Sequence, residues 1–259
     1  MSTSESSNRV TRRELMTGAA AVAGATVLSG AAVSRVDSAT EHKSAKLSKG
    51  DVILFQGDSI TDARRSRKNN GPNTIRSLGD GYANMIAARL LGMRPHDDLK
   101  IYNRGLSANK VPQLAARWQE DTLDLRPDVL SILIGVNDIW HKLEGKYDGT
   151  VEDFASGLAA LLRNTRAALH NTTLVVCEPF VLRCGAVSAS WFPEFDERRA
   201  AAREAATGAG AIFVPFQTMF DDALTDDTPP SYWAGDGVHP TMAGHALMAQ
   251  TWLDVTRLG

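Results

Sequence analysis

Only two of the 259 residues are cysteine, Cys177 and Cys184. Two thiols cannot build the disulfide lattice of a small secreted scaffold, and no Cys/His cluster has zinc-site spacing. Cys177 lies in an apolar run and reads as a buried free thiol. A Cys177–Cys184 bridge stays open, but nothing in the spacing requires it. Charge of one sign is also missing. The formal net charge is −2; residues 1–39 carry +1, which leaves −3 for the rest. That excludes the basic face on which nucleic acid binds. No apolar run is long enough for a comfortable membrane span: residues 18–33 are uncharged, but the stretch is short and rich in Ala and Gly. There is no internal repeat. What is present is 43% hydrophobic residues, enough for one sizeable core. Once the N-terminal segment is set aside, about 215 residues remain, the size of one α/β domain.

That segment carries the clearest address on the chain. Thr11-Arg12-Arg13-Glu14-Leu15-Met16 precedes the uncharged stretch, and a twin arginine before a weakly hydrophobic run resembles a twin-arginine export signal. Small residues around Gly30-Ala31-Ala32 offer a cleavage site. The expected organisation is an export signal over 1–39, a polar linker over 40–49 and a catalytic-sized domain over 50–259. Processing would leave no stable membrane span, and the protein would work in the periplasm or outside the cell. The route exports folded proteins, so folding would not depend on a disulfide.

The domain alternates strand-like and helix-like runs. Strands are predicted at 52–56, 99–103, 129–134, 174–177 and 211–214. Helices are predicted at 82–91, 111–125, 151–170, 194–208 and 241–258, the fourth closed by Gly208 and the last started by Pro240. Residues 64–80, with Arg64, Arg65, Arg67, Lys68 and Arg76, read as a long loop with a solvated charged face. Alternation of this kind predicts an α/β fold, a five-stranded parallel sheet covered by helices on both faces. Right-handed crossovers bring the carboxyl ends of all strands to one rim.

Three residues that follow strands share that rim: Ser59, Gly105 and Asn137. Ser59, in Gly57-Asp58-Ser59, is a candidate nucleophile, although Gly-Asp-Ser is also an ordinary turn tripeptide. Near the C-terminus, Asp236-Gly237-Val238-His239 can fold a carboxylate back onto an imidazole, which would then take the serine proton. Helix capping is the competing role for Asp236. An acyl-transfer site also needs oxyanion donors. The backbone N–H groups of Ser59 and Gly105 and the side-chain amide of Asn137 are the candidates. His245 falls inside the last helix, where a structural role is expected. His96, His141 and His170 lie in loop-like or helix-end contexts with no matched acid.

Gly57-Asp58-Ser59, Asn103-Arg104-Gly105, Gly135-Val136-Asn137-Asp138 and Asp236-Gly237-Val238-His239 together resemble the four blocks of the SGNH (GDSL-type) hydrolases. The likeness spans nearly all of residues 51–258. It implies a three-layer, flavodoxin-like α/β/α sandwich, a Ser59–His239–Asp236 triad, an oxyanion hole of Ser59, Gly105 and Asn137, and no metal or organic cofactor. The stretches Phe55–Asp62, Leu78–Tyr82, Ala116–Trp118 and Ile134–Trp140 are similar to the carbohydrate acetylesterase branch, bacterial acetylxylan esterases in particular. The resemblance therefore implies an acylated small-molecule or glycan substrate. Trp140, Trp191, Tyr232 and Trp233 lie near the motif-bearing loops, and aromatic faces stack on sugar rings; at least two of the four are expected to be core or loop anchors. Asp58 joins Trp140, Trp191 and Trp233 in the set expected to meet substrate. A lysophospholipase or thioesterase acting on longer chains is the alternative, and a non-catalytic glycan- or lipid-binding module the third reading. Oligomeric state is not legible.

Overall fold

The structure, a computed structural model, describes residues 46–259. The expected export signal and the first part of the expected linker lie outside the described residues. Leu47, within the stretch read as linker, already belongs to the domain: its side chain is in the core and its carbonyl accepts from Arg94 Nη2 at 2.7 Å.

Five strands form one sheet: β1 (Val52–Gly57), β2 (Lys100–Asn103), β3 (Val129–Leu133), β4 (Thr173–Cys177) and β5 (Ile212–Val214). Their order is β2-β1-β3-β4-β5 and every pair is parallel. Both faces are covered, which is why the strands are nearly continuous apolar runs. The helices are α1 (Ser59–Asp62), α2 (Ile75–Leu78), α3 (Tyr82–Met93), α4 (Val111–Ala116), α5 (Val136–Leu143), α6 (Val151–Ala168), α7 (Glu194–Gly208), α8 (Phe216–Ala223), α9 (Pro230–Trp233) and α10 (Met242–Thr256).

Alternation along the strands sorts the core into two clusters. Ile53, Phe55, Ile101, Leu133 and Val175 pack with Tyr82 of α3, Phe216 of α8 and Trp252 of α10. Leu54, Leu130, Ile132, Leu174 and Val176 pack with Leu114 of α4, Leu158 and Leu162 of α6 and Ala202 of α7. The result is the expected three-layer sandwich. The chain reverses its direction of sheet growth between β1 and β3, the switch point outside which such sheets bind ligands. Ser59 follows one of these strands and Asn137 the other. Both cysteines are free; Cys177 is buried, and Cys184 Sγ lies 3.2 Å from the Ala234 carbonyl. No helix among the described residues is long and apolar enough to cross a membrane.

Several boundaries differ from the sequence pattern for definite reasons. The helix expected over 111–125 breaks after Ala116, and a π-helical turn, Gln119–Leu123, follows. Arg117 sits at the break. Its guanidinium donates to Asn109 Oδ1 at 2.8 Å, the Arg104 carbonyl at 2.8 Å and Asp121 at 3.0 Å, so tertiary hydrogen bonds override the helical period. The charged loop contains α2, capped by the Thr74 hydroxyl, and it is not simply a solvated face. Arg65 is buried, its Nε donating to the Gly105 carbonyl at 2.7 Å, and Arg67 pairs with the buried Asp62 at 2.8 Å. The last helix starts at Met242 behind a Thr241 cap, because Pro240 is engaged in a bridge to Ala234. Gly208 is the last residue of α7 rather than its terminator; the left-handed turn falls at Gly210, φ +60°.

Candidate active site

Gly57 ends β1 where a Cβ would collide with the Leu133 carbonyl and the Thr61 hydroxyl. Only glycine lets the chain turn this close to β3. Asp58 then caps α1 by accepting from the Ile60 N–H at 3.0 Å, and Ser59 becomes the first helical residue. Its hydroxyl is half-buried at the sheet rim, 2.9 Å from His239 Nε2.

The opposite wall is the 234–239 turn. Asp236 Oδ1 accepts from the N–H groups of Val238 at 2.9 Å and His239 at 2.7 Å. Its Oδ2 lies 2.7 Å from His239 Nδ1. An aspartate oxygen accepts, so Nδ1 carries the proton and Nε2 presents a lone pair to the Ser59 hydroxyl. Partial burial acts to raise the Asp236 carboxyl, but the hydrogen bonds from the His239 ring and the two amides outweigh it and hold the pKa below the usual carboxylate value. The turn itself is gripped from outside. The Leu182 N–H donates to the Gly237 carbonyl at 2.8 Å and the Ala186 N–H to the Asp236 carbonyl at 2.9 Å. Gly237 has φ +84°, and a Cβ there would strike the carbonyls of Leu182 and Cys184.

On the other side of Ser59, Asn137 is buried in the first turn of α5. One N–H of its amide goes to the Asn109 carbonyl at 3.2 Å, which leaves the second N–H to donate. Ser59 N–H opens α1 and has no intrahelical partner. Gly105 differs from expectation. Its N–H donates to Asn103 Oδ1 at 2.8 Å, so it is not a free donor. A Cβ at Gly105 would collide with the Asp62 amide, so the position needs glycine for close packing. Ala108 is exposed at φ +67°, between Ser107, tied to Asp62 Oδ2 at 2.9 Å, and Asn109, the acceptor from Asn137. Its N–H takes none of the bonds that fix its neighbours.

Asp58 does not meet substrate: it is 1% exposed. Burial, with the nearby charges of Asp138 and Asp62, pushes its pKa up to about 7 against the Ile60 hydrogen bond. Asp138 is pushed up to about 6 by burial, opposed by the Val111 N–H, Arg198 and Lys110. Among the described residues, Asp58 Oδ2 is buried without a hydrogen-bond partner. The folded protein thus holds a proton on Asp58 that an unfolded chain releases near 3.8. The unfolded state binds fewer protons in that window, so stability falls as pH rises from about 4 to about 7. Asp58→Asn keeps the capping oxygen and cannot ionise. Its stability is expected to exceed that of the parent by about 1–3 kcal/mol at pH 8, and the difference should shrink near pH 4. Urea melts at the two pH values measure this; an equal difference at both would show that Asp58 ionisation is not the cause.

The aromatics divide. The half-buried Trp140 ring stands 6.0 Å from the His239 ring and 5.7 Å from Trp191. Trp191 is only 2% exposed and supports Trp140 from behind. Trp233 packs against Tyr232 and Phe220, with Nε1 donating to the Ala223 carbonyl at 3.2 Å. Trp140 is therefore the one of the three tryptophans placed directly beside the imidazole. His245 is structural: Nδ1 accepts from the Tyr82 N–H at 3.2 Å, and burial lowers its pKa to about 4. Among the described residues, no three His, Cys, Asp or Glu side chains converge to hold a metal.

A serine hydroxyl aligned on a basic imidazole nitrogen, with N–H donors beside it, is equipped for acyl transfer. Residues 55–247 match the GDSL-like lipase/acylhydrolase family. An acetylxylan esterase of Geobacillus stearothermophilus is 30% identical over 212 residues, covering 80% of this chain and 94% of that one. The structure of a candidate GDSL-like lipase from Parabacteroides merdae superimposes with a TM-score of 0.80 at 50% identity, over 83% of this chain and 99% of its own. A crystal structure of a G. stearothermophilus acetylxylan esterase does so with a TM-score of 0.73 at 28% identity, over 82% and 96%.

Proposed function

Since the chain belongs to the GDSL-like lipase/acylhydrolase family, and is a carboxylic ester hydrolase on that ground, we propose that it is an exported serine esterase removing small acyl groups, acetyl above all, from carbohydrates. The observation that carries the mechanism is the hydrogen-bonded series Ser59–His239–Asp236. Ser59 Oγ attacks the ester carbonyl as His239 Nε2 takes its proton. The tetrahedral oxyanion is met by the Ser59 N–H and the free N–H of Asn137. Collapse expels the sugar hydroxyl, protonated by His239. Water, deprotonated by the same nitrogen, then releases acetate from the acyl-enzyme. Asp236 keeps the imidazole in the required tautomer throughout.

Three features support the substrate class. The curated relative is an acetylxylan esterase; Trp140 offers an aromatic face beside His239; and the Arg-rich 64–80 segment offers little apolar surface for a long acyl chain. Arg12-Arg13 and the uncharged stretch behind them support export. The test is a series of p-nitrophenyl acetate, butyrate, octanoate and palmitate, alongside acetylated xylo-oligosaccharide. A sharp preference for acetate, with acetate released from the oligosaccharide, is expected. A preference for octanoate or longer would replace this reading with a lipid or thioester one.

A further inference from the structure

Lys110 is an unusual cation. It is 7% exposed, and among the described residues it has no carboxylate within ion-pairing distance. Its Nζ lies 3.1 Å from His141 Nδ1 and 5.0 Å above the centre of the Tyr147 ring. An ammonium has donors only, so His141 Nδ1 must accept. The ring is then neutral, with its proton on Nε2. Burial and the Lys110 charge both act against protonation; of the other charged groups near the ring, Lys146 acts with them and Glu144 against, and those two are paired at 2.8 Å.

The position of this imidazole gives the arrangement its meaning. Asn137, Trp140 and His141 are i, i+3 and i+4 on α5 and share one helix face. Asn137 bonds the Asn109 carbonyl and His141 bonds Lys110; thus the same two loop residues hold both ends of that face. Between them Trp140 stands beside His239. His141 is half-buried, and its Nε2–H has no partner among the described residues. A fixed neutral donor one residue along α5 from the Trp140 ring, which stands beside His239, suits a pyranose, which offers hydroxyl oxygens at its edge and C–H groups on its faces.

We propose that His141, its tautomer locked by Lys110, binds the sugar that carries the acyl group by donating Nε2–H to a hydroxyl or ring oxygen, with Lys110 as the positioning residue. The proposal rests on the carbohydrate esterase reading. It deepens that reading by naming where the alcohol part sits: against the Asn137–His141 face of α5.

The test compares kcat and KM of the parent, His141→Ala, His141→Asn, Lys110→Met and Lys110→Arg on acetylated xylo-oligosaccharide and on p-nitrophenyl acetate. His141→Ala should lower the ratio of oligosaccharide to p-nitrophenyl acetate kcat/KM about five- to tenfold, mainly through KM, the scale of one neutral hydrogen bond. His141→Asn, whose amide can still donate, should recover part of it. In ¹⁵N spectra of the parent at neutral pH, His141 should show an unprotonated Nδ1 and a protonated Nε2. Lys110→Met should abolish that fixed tautomer, and Lys110→Arg should retain it. An unchanged ratio in His141→Ala, an equal loss on both substrates, or a protonated Nδ1 in the parent would overturn the proposal. If Lys110→Met does not fold, the His141 variants and the parent spectrum still decide. A parent that hydrolyses p-nitrophenyl acetate but releases no acetate from the oligosaccharide overturns the carbohydrate reading itself, a result distinct from a deacetylase whose ratio does not move.

Discussion

Ser59→Ala is expected to reduce ester hydrolysis by roughly 10⁵- to 10⁶-fold, the scale on which serine hydrolases lose turnover without their nucleophile. The fold should be untouched. The Ser59 hydroxyl bonds only His239 among the described residues, while α1 is capped by Asp58 and anchored by Ile60 and Thr61 in the core. Alanine also suits the first turn of a helix. Circular dichroism and the melting temperature should match the parent within a few degrees. A fluorophosphonate probe gives an independent reading: the parent should gain one adduct, mapped by peptide mass to Ser59, and the variant none. Turnover that survives in Ser59→Ala, or an adduct at another serine, would remove Ser59 from the nucleophile's place.

The sheet was legible because its strands are buried on both faces and read as nearly continuous apolar runs, as at 52–56 and 129–134. Ser59, Asn137, Asp236 and His239 were legible because each stands in a short motif at the end of a strand or before a helix, and the parallel topology brings such ends together. What was hidden depended on contacts distant in sequence. Arg65 and Arg117 look like solvent-facing charges, yet they turn inward to the carbonyls of Gly105 and Arg104. Arg117 breaks a helix that periodicity alone would continue. Gly105 reads as a donor because glycine shields nothing, but Asn103, two residues earlier, claims its N–H. His141 had no triad-like acid partner to mark it; its partner proved to be a buried lysine 31 positions away. Asp58, next to Ser59 in sequence, and Trp191, packed against Trp140, are too deeply buried to reach a substrate.

Asp236→Asn is expected to lower kcat/KM by about 10⁴-fold at neutral pH while costing little stability, and the geometry says why. Asp236 Oδ1 accepts two backbone N–H groups, from Val238 and His239, whereas Oδ2 faces the single N–H of the imidazole. An asparagine keeps its oxygen where two donors meet it. Its NH₂ group then faces His239 Nδ1. Two donors cannot face each other, so the imidazole proton moves to Nε2, the atom that must accept from Ser59. The turn keeps its acceptor and the site loses its base. Capping, the competing role for Asp236, makes the opposite forecast: because the asparagine oxygen caps as well as the carboxylate, Asp236→Asn would then be nearly silent in rate. Asp236→Ala separates the two further. It removes the acceptor for both amides as well as the imidazole partner, and should lose stability in addition to rate. Steady-state kinetics and urea melts on the two variants decide between the roles, since only a proton-directing carboxylate makes the isosteric change costly to turnover and harmless to the fold.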